Sequence, residues 1–260
     1  MSAKYTKTYT VSWGDLDVNY RLTNISAIKY FQETFALYCA ANNVAAFDIC
    51  SKNLVWVISD LRVNFFGAMP FWSENFSVEI WISDKSKIKT FCDFKIYFKD
   101  SVIAEGNSCW YLLDMQTRRP VKSDEILHCL KIFDEKIFLQ REKQLFSSKG
   151  EKISEKKHEV NVHDLDFNYH VNNLSYIRLL EETVPSNFTQ EYDFYSYNIS
   201  FLKEAYIGDD LICEVFKKND NTLSSRICRK NDNANICYLT VCYRKKIKYG
   251  RNPREAGVLF

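Results

Sequence analysis

The chain has 260 residues, 46% of them hydrophobic and 15% aromatic, ample for a packed core in one large unit or two ordinary ones. With 35 basic against 33 acidic residues the formal charge is only +2, so no global field argues for nucleic acid, and an anionic partner would have to be met locally. No apolar run approaches the ~20 residues of a membrane span, the N-terminal stretch lacks a signal-peptide core, and nine cysteines occur without a C-x-x-C pair, so a cytoplasmic protein with reduced, mostly buried thiols is expected.

In chain order, Tyr9 to Trp13 is short and β-prone, Asp15 to Asn24 is a polar turn, and a helix is expected from near Ile25 to about Ala46, with Ile28, Phe31, Phe35 and Tyr38 on one face. The period then shortens. Leu54 to Phe66 is strand-like, Phe76, Val78, Ile80 and Ile82 alternate with their neighbours, and Thr90 to Phe98 and Val102 to Asp114 follow. The charged stretch 121–157, with Ser147-Ser148-Lys149-Gly150, reads as a linker with some helix. His158 to Val162 is the next strand candidate. Leu174, Ile177, Leu180 and Val184 then recur at helical spacing before Pro185, and strands are expected over 195–201, 211–216, 222–229 and 236–244. One long helix with a run of antiparallel strands, met twice, predicts an α+β protein whose sheet wraps around a helix in each of two fused units. The expected divisions are 1–120, a linker 121–157, a second unit 158–245, and a basic, solvated tail 246–260.

The chemistry concentrates between Asp164 and Leu180. Asp166, Asn168 and His170 are two residues apart, and in extended chain that spacing sends a carboxylate, an amide and an imidazole to one side. Asn172 or Asn173 is an N-cap candidate, so the triplet precedes a helix N-terminus whose free N–H groups can meet developing negative charge. Asp15 to Phe31 aligns with this stretch without a gap at an offset of 149 residues: Asp17 matches Asp166 and Asn19 matches Asn168, but Arg21 stands where His170 does. A guanidinium stays protonated at any working pH, so the pattern reads as one chemical site and one degenerate copy. His163, Arg118 and Arg119 have structural readings, as a neighbour of the motif and as a solvated turn. Four histidines without clustered Cys/His spacing give no metal-ligand set.

With these residues in view, the chain resembles the acyl-acyl carrier protein (acyl-ACP) thioesterases of plants and bacteria, which carry two fused hot-dog domains. The resemblance rests on Asp-x-Asn-x-His-x-Asn-Asn-x-x-Tyr from Asp166 to Tyr176, on Leu54-Val55-Trp56-Val57 followed by Arg62, on Trp110 with Asp114 and Thr117-Arg118-Arg119, and on Phe201-Leu202-Lys203-Glu204-Ala205. It implies a catalytic set of Asp166, Asn168, His170 and Glu204, no cofactor, hydrolysis of fatty acyl-ACP in fatty acid biosynthesis, and an N-terminal half that holds the acyl chain. Plant relatives have a cysteine where this chain has Ala205, which argues against a cysteine nucleophile here.

On that reading His170 with Glu204 activates water, while Asp166 either orients the assembly or attacks the carbonyl itself, and Asn168 with backbone N–H groups holds the oxyanion. The competing functions are an acyl-CoA thioesterase, a hot-dog hydratase or dehydratase, whose relatives space the residues Asp-x-Asn-x-x-His, and a non-catalytic acyl-chain sensor. The expected partner is the acidic acyl carrier protein with its phosphopantetheine arm. Lys149, Lys152, Lys156, Lys157 and the run Arg244 to Lys248 are the basic candidates for docking it, with the enzyme a monomer or homodimer.

Overall fold

The computed structural model describes residues 4–139 and 150–246. Its elements are β1 (Lys4–Thr10), α1 (Asn24–Ala41), α2 (Ala46–Ile49), β2 (Leu54–Phe65), β3 (Asn75–Lys85), β4 (Lys89–Phe98), β5 (Ser101–Asp114), α3 (Asp124–Cys129), β6 (Glu151–Glu159), α4 (Asn173–Thr183), α5 (Ser186–Glu191), β7 (Tyr192–Phe201), β8 (Asp210–Asn219), β9 (Thr222–Arg229) and β10 (Asn235–Lys245).

The ten strands form one antiparallel sheet in the order β1-β3-β4-β5-β2-β7-β10-β9-β8-β6. Read from either end the order has the same form, because β6 to β10 repeat the positions of β1 to β5 and the halves meet at β2 and β7. There Asp60 to Asn64 pair with Ser200 to Ser196, and the Ser200 and Ser196 hydroxyls donate to Asp60 Oδ1 (2.6 Å) and Asn64 Oδ1 (2.8 Å).

Each half buries one helix against its sheet. The Thr23 side chain caps α1 by accepting from the Ser26 N–H, and Ile28, Phe31, Phe35, Tyr38 and Cys39 recur three or four apart on its buried face. Phe31 stacks on Phe94 of β4 at 3.9 Å between ring centroids, and Phe35 stacks on Trp110 of β5 at 4.1 Å. Each such ring contributes about 1.5–3 kcal/mol through burial. Gly106 of β5 makes the first contact feasible, since a Cβ there would lie 2.5 Å from Cζ of Phe94. In the second half Asn172 caps α4, which buries Tyr176, Ile177, Leu179, Leu180 and Thr183.

The expected elements differ from the observed ones at several ends. α1 stops at Ala41 rather than near Ala46, because Asn42 caps it and Asn43 takes a left-handed conformation (φ 58°) that asparagine tolerates. The stretch 121–157 is not only a linker: it contains α3, and β6 begins at Glu151, so the strand expected at His158 to Val162 starts earlier and ends at Glu159. β6 is an edge strand on β8, and its lysines and glutamates are the charge by which edges resist further pairing, which hides the strand from a hydrophobic-pattern reading. Arg244 and Lys245 of the expected basic end belong to β10, while 247–260 lie outside the described residues. Among the described residues no helix is long and apolar enough to cross a membrane.

Candidate active site

Asp166, Asn168 and His170 do converge, but not by strand alternation. The segment is a tight turn: the Tyr169 N–H donates to the Asp166 carbonyl (3.1 Å), the Asp166 N–H donates to the His170 carbonyl (2.9 Å), and Tyr169 sits at φ 63°. Leu165 and Val171 bridge its base. Within the turn Asp166 Oδ1 accepts the Asn168 N–H (2.8 Å), and Oδ2 faces His170 Nδ1 at 3.5 Å. On the other side of the ring, Nε2 faces Glu204 Oε1 at 3.6 Å. Both separations exceed a formed hydrogen bond, so they describe an imidazole flanked by two carboxylates that small movements can engage.

Glu204 lies just beyond β7, where His170 bridges to Tyr206 and the Val171 N–H donates to the Ala205 carbonyl (2.8 Å). The Tyr206 hydroxyl donates to Glu204 Oε2 (2.7 Å), and Arg118, from the turn after β5, forms an ion pair with Oε1. Neither Tyr206 nor Arg118 was expected in the site. The adjacency of Glu204 to a tyrosine two residues on was the available signal for the first; Arg118, 86 positions away, was marked only as part of Thr117-Arg118-Arg119, and it does lie in an exposed turn, but with its guanidinium on Glu204.

These groups line a cavity of about 700 Å³ that crosses the two halves. Phe35, Ala36 and Cys39 of α1, Trp56 and Ile58 of β2 and Trp110 of β5 supply an apolar wall, and Asp166, Asn168, His170 and Glu204 supply a polar one. The indoles are fixed at their polar ends, Trp56 Nε1 donating to the Val44 carbonyl (2.8 Å) and Trp110 Nε1 to Ser108 Oγ (2.7 Å). The Asn168 side chain has no protein partner among the described residues, which leaves its amide available to a ligand. A second cavity, of about 450 Å³ beside Phe188, Tyr192 and Tyr243, contains none of the motif residues.

Behind the turn sits Asp164, 1% exposed, which a sequence reading centred on residues 166–170 passed over. Its carboxylate accepts the Asn161 N–H (3.0 Å), meets His158 Nε2 at 2.8 Å and pairs with Arg178 of α4 at 2.5 Å. Burial opposes its charge, but the Asn161 N–H, His158 and Arg178 outweigh burial and hold its pKa below the ordinary aspartate value. His163 does not point to the site; its N–H donates to the Asn161 side chain and the residue is exposed.

The first half repeats this construction without the imidazole and the facing carboxylate. Asp17 accepts the Asn19 N–H (2.8 Å), the Tyr20 N–H donates to the Asp17 carbonyl (3.1 Å), and Tyr20 has φ 58°. Buried Asp15 pairs with Lys29, the counterpart of the Asp164–Arg178 pair. Arg21 bridges to Phe71 as His170 does to Tyr206, which makes Met69 the counterpart of Glu204. The Arg21 guanidinium donates to the Met69 carbonyl (2.7 Å), so a cation rests on a backbone oxygen where the second half has an imidazole facing a carboxylate.

Comparison with known proteins agrees with this arrangement. Residues 2–130 match the family model of the acyl-ACP thioesterase N-terminal domain, and residues 147–245 match that of the C-terminal domain. The chain belongs to the acyl-ACP thioesterase family. The oleoyl-acyl carrier protein thioesterase of coriander (Coriandrum sativum, chloroplastic) is 24% identical over 196 residues, which are 70% of this chain and 53% of the relative. Like it, the other curated plant relatives are longer, and the chain spans about half the length of those it matches. Among solved structures, an acyl-ACP thioesterase from Bacteroides thetaiotaomicron superposes with a TM-score of 0.83 at 21% identity, covering 94% of this chain and 100% of that one. The 12:0-ACP thioesterase from Umbellularia californica gives 0.82 at 17% identity, covering 95% and 99%. At these identities the structural likeness is one of fold.

Ala205 is fully buried, and Cys39, which lines the cavity, is 1% exposed with burial pushing its thiol pKa well up, so it is not a thiolate. Of the expected docking lysines, Lys152 pairs with Glu155 and Glu214 and Lys156 pairs with Glu182, while Lys157 is exposed on β6. Arg244 pairs in register with Asp193, at the far end of β7 from Phe201 and roughly 25 Å from the site at the usual strand rise. Lys149 and residues 247–248 lie outside the described residues. Of the basic residues that line the cavity, Lys203 is exposed and adjoins Glu204.

Proposed function

We propose that the protein hydrolyses the thioester of fatty acyl-ACP, releasing free fatty acid and the carrier thiol. The observation that carries this reading is the single cavity in which an apolar, aromatic wall from one half faces Asp166, Asn168, His170 and Glu204 from the other. The two halves are read as hot-dog domains, the second beginning with β6; the matching strand order and the repeated turns support that division.

In this mechanism His170 takes a proton from water, the hydroxide adds to the thioester carbonyl, and the C–S bond breaks as the proton passes to the departing sulfur. Glu204 and Asp166 stabilise the charge that the ring gains. The engagement of both Asp166 oxygens, one by the Asn168 N–H and one facing His170, favours an orienting aspartate over a nucleophile. The Asn168 amide, which has no protein partner among the described residues, is the donor for the oxyanion, because the Leu174 and Ser175 N–H groups at the start of α4 are taken by Asn172.

The test is a panel of C4 to C18 acyl-ACPs with the corresponding acyl-CoAs, followed by thiol release. Turnover of the carrier substrates is expected, with a Michaelis constant that rises with salt more for acyl-ACP than for acyl-CoA, because screening acts on protein-to-protein charge. Release from none of them would refute hydrolysis and favour the acyl-binding sensor. Equal salt dependence for the two carriers would favour acyl-CoA as substrate.

A further inference from the structure

Arg118 has no part in the mechanism above, yet it reaches its centre from the other half of the molecule. It lies in the turn after β5 at φ 54° and is held there through its backbone, its N–H donating to the Asp114 carbonyl (2.9 Å). Asp114 organises the turn: Oδ1 accepts the N–H groups of Gln116 (3.1 Å) and Thr117 (2.7 Å), and Oδ2 accepts from Asn53 Nδ2 (2.8 Å). From this mount the guanidinium pairs with Glu204 Oε1, the oxygen that also faces His170 Nε2, while Oε2 takes the Tyr206 hydroxyl.

We propose that Arg118 is a positioning residue for thioester hydrolysis: delivered by the N-terminal half, it fixes the Glu204 carboxylate against the His170 ring and makes the site a product of both halves. The inference rests on the hydrolase reading. A carboxylate held only by Tyr206 at Oε2 can swing away from the imidazole, whereas a guanidinium N–H on Oε1 anchors the second oxygen with a charge-assisted bond. The degenerate half lacks the two groups that this ion pair serves, with Arg21 and Met69 in place of the imidazole and the carboxylate.

The charged and titratable groups around the His170 ring are Asp166 on its own turn, Glu204 and Tyr206 after β7, and Arg118 through Glu204; Lys203 and Arg229 line the same cavity. Removing the Arg118 cation favours the imidazolium, so the acid limb of activity moves to higher pH. The experiment compares Arg118→Gln, Arg118→Lys and, as control, Arg119→Gln, which removes an exposed charge from the same turn. For Arg118→Gln, kcat is expected to fall at least about tenfold with KM nearly unchanged, since misplacing a reacting group by an ångström can cost ~100-fold. Arg118→Lys should recover part of kcat, and Arg119→Gln should match the wild type.

The His170 ring resonances, read by NMR at fixed pH without substrate, should shift in Arg118→Gln and stay in place in Arg119→Gln. An unchanged kcat, a rise in KM alone, or unmoved His170 ring resonances would overturn the role. A wild type inactive on every thioester would refute the hydrolase reading instead, and the NMR comparison would still decide whether Arg118 acts on the His170 environment.

Discussion

The two copies of the turn allow a paired test, because His170 and Arg21 occupy equivalent places with opposite consequences. His170 lies between Asp166 (3.5 Å) and Glu204 (3.6 Å) and is the only histidine that lines the large cavity, so no second imidazole can replace it. Loss of a general base costs about 10²–10⁴ in rate, or roughly 2.7–5.4 kcal/mol in activation free energy. Removing its side chain from a half-buried turn leaves the backbone bonds of that turn intact, so His170→Ala should be nearly inactive and close to wild-type stability. Arg21 is absent from the cavity lining, and its guanidinium bonds the Met69 carbonyl at 2.7 Å. Losing a charge-assisted bond at a half-exposed site costs about 1–2 kcal/mol, equivalent to roughly 2–8 °C in a chain of this size. Arg21→Ala should therefore melt earlier and still turn over. Initial rates of thiol release from one good acyl-ACP substrate, with thermal melts of the same samples, read both quantities. If both variants lose turnover alike while folded, the division into one chemical and one structural turn is refuted.

Further predictions follow from the buried groups. Alkylation of thiols under native conditions should leave activity largely intact, because Ala205 stands at the relatives' cysteine position and exposed Cys50 and Cys129 are not among the cavity-lining residues; inactivation that substrate prevents would identify a cysteine in the mechanism. Burial pushes the Glu181 pKa up to about 7, against the Tyr197 hydroxyl that donates to it at 2.7 Å. The folded state thus binds this proton more tightly, and the associated stability is present below the ordinary value of ~4.3 and lost as pH rises through the folded one. Denaturation midpoints of the wild type should therefore fall relative to Glu181→Gln between pH 5 and pH 8 on that linkage, and a constant difference would contradict it. Asp164 has the opposite sign: its depressed pKa contributes stability above ~3.9 that is lost as pH falls through the folded value. Asp164→Asn should cost about 1.5–3 kcal/mol at neutral pH and flatten the acid limb of a stability profile, and equal acid sensitivity in variant and wild type would argue against it.

Local pattern was enough to read the repeat at an offset of 149 residues, because each turn and the helix after it are built from contacts within some fifteen positions: the Asp-x-Asn spacing, the cap, and the apolar face. Alternation likewise located β2 to β5 and β7 to β10 to within a few residues, since their buried faces follow the pleat. The polar triplet was found for a reason that proved incomplete, as extended chain and a tight turn both bring such residues together, and only the left-handed Tyr169 distinguishes them. Strand order was beyond local pattern. Joining β2 to β7 is a pairing over more than 130 positions, and it is set by burial of both helices under one sheet rather than by any neighbour in sequence. For the same reason sequence could nominate Glu204 by resemblance but could not supply Arg118 as its partner: an ion pair between two loops from different halves is decided when the sheet closes, and its chemistry leaves no periodic trace in either loop.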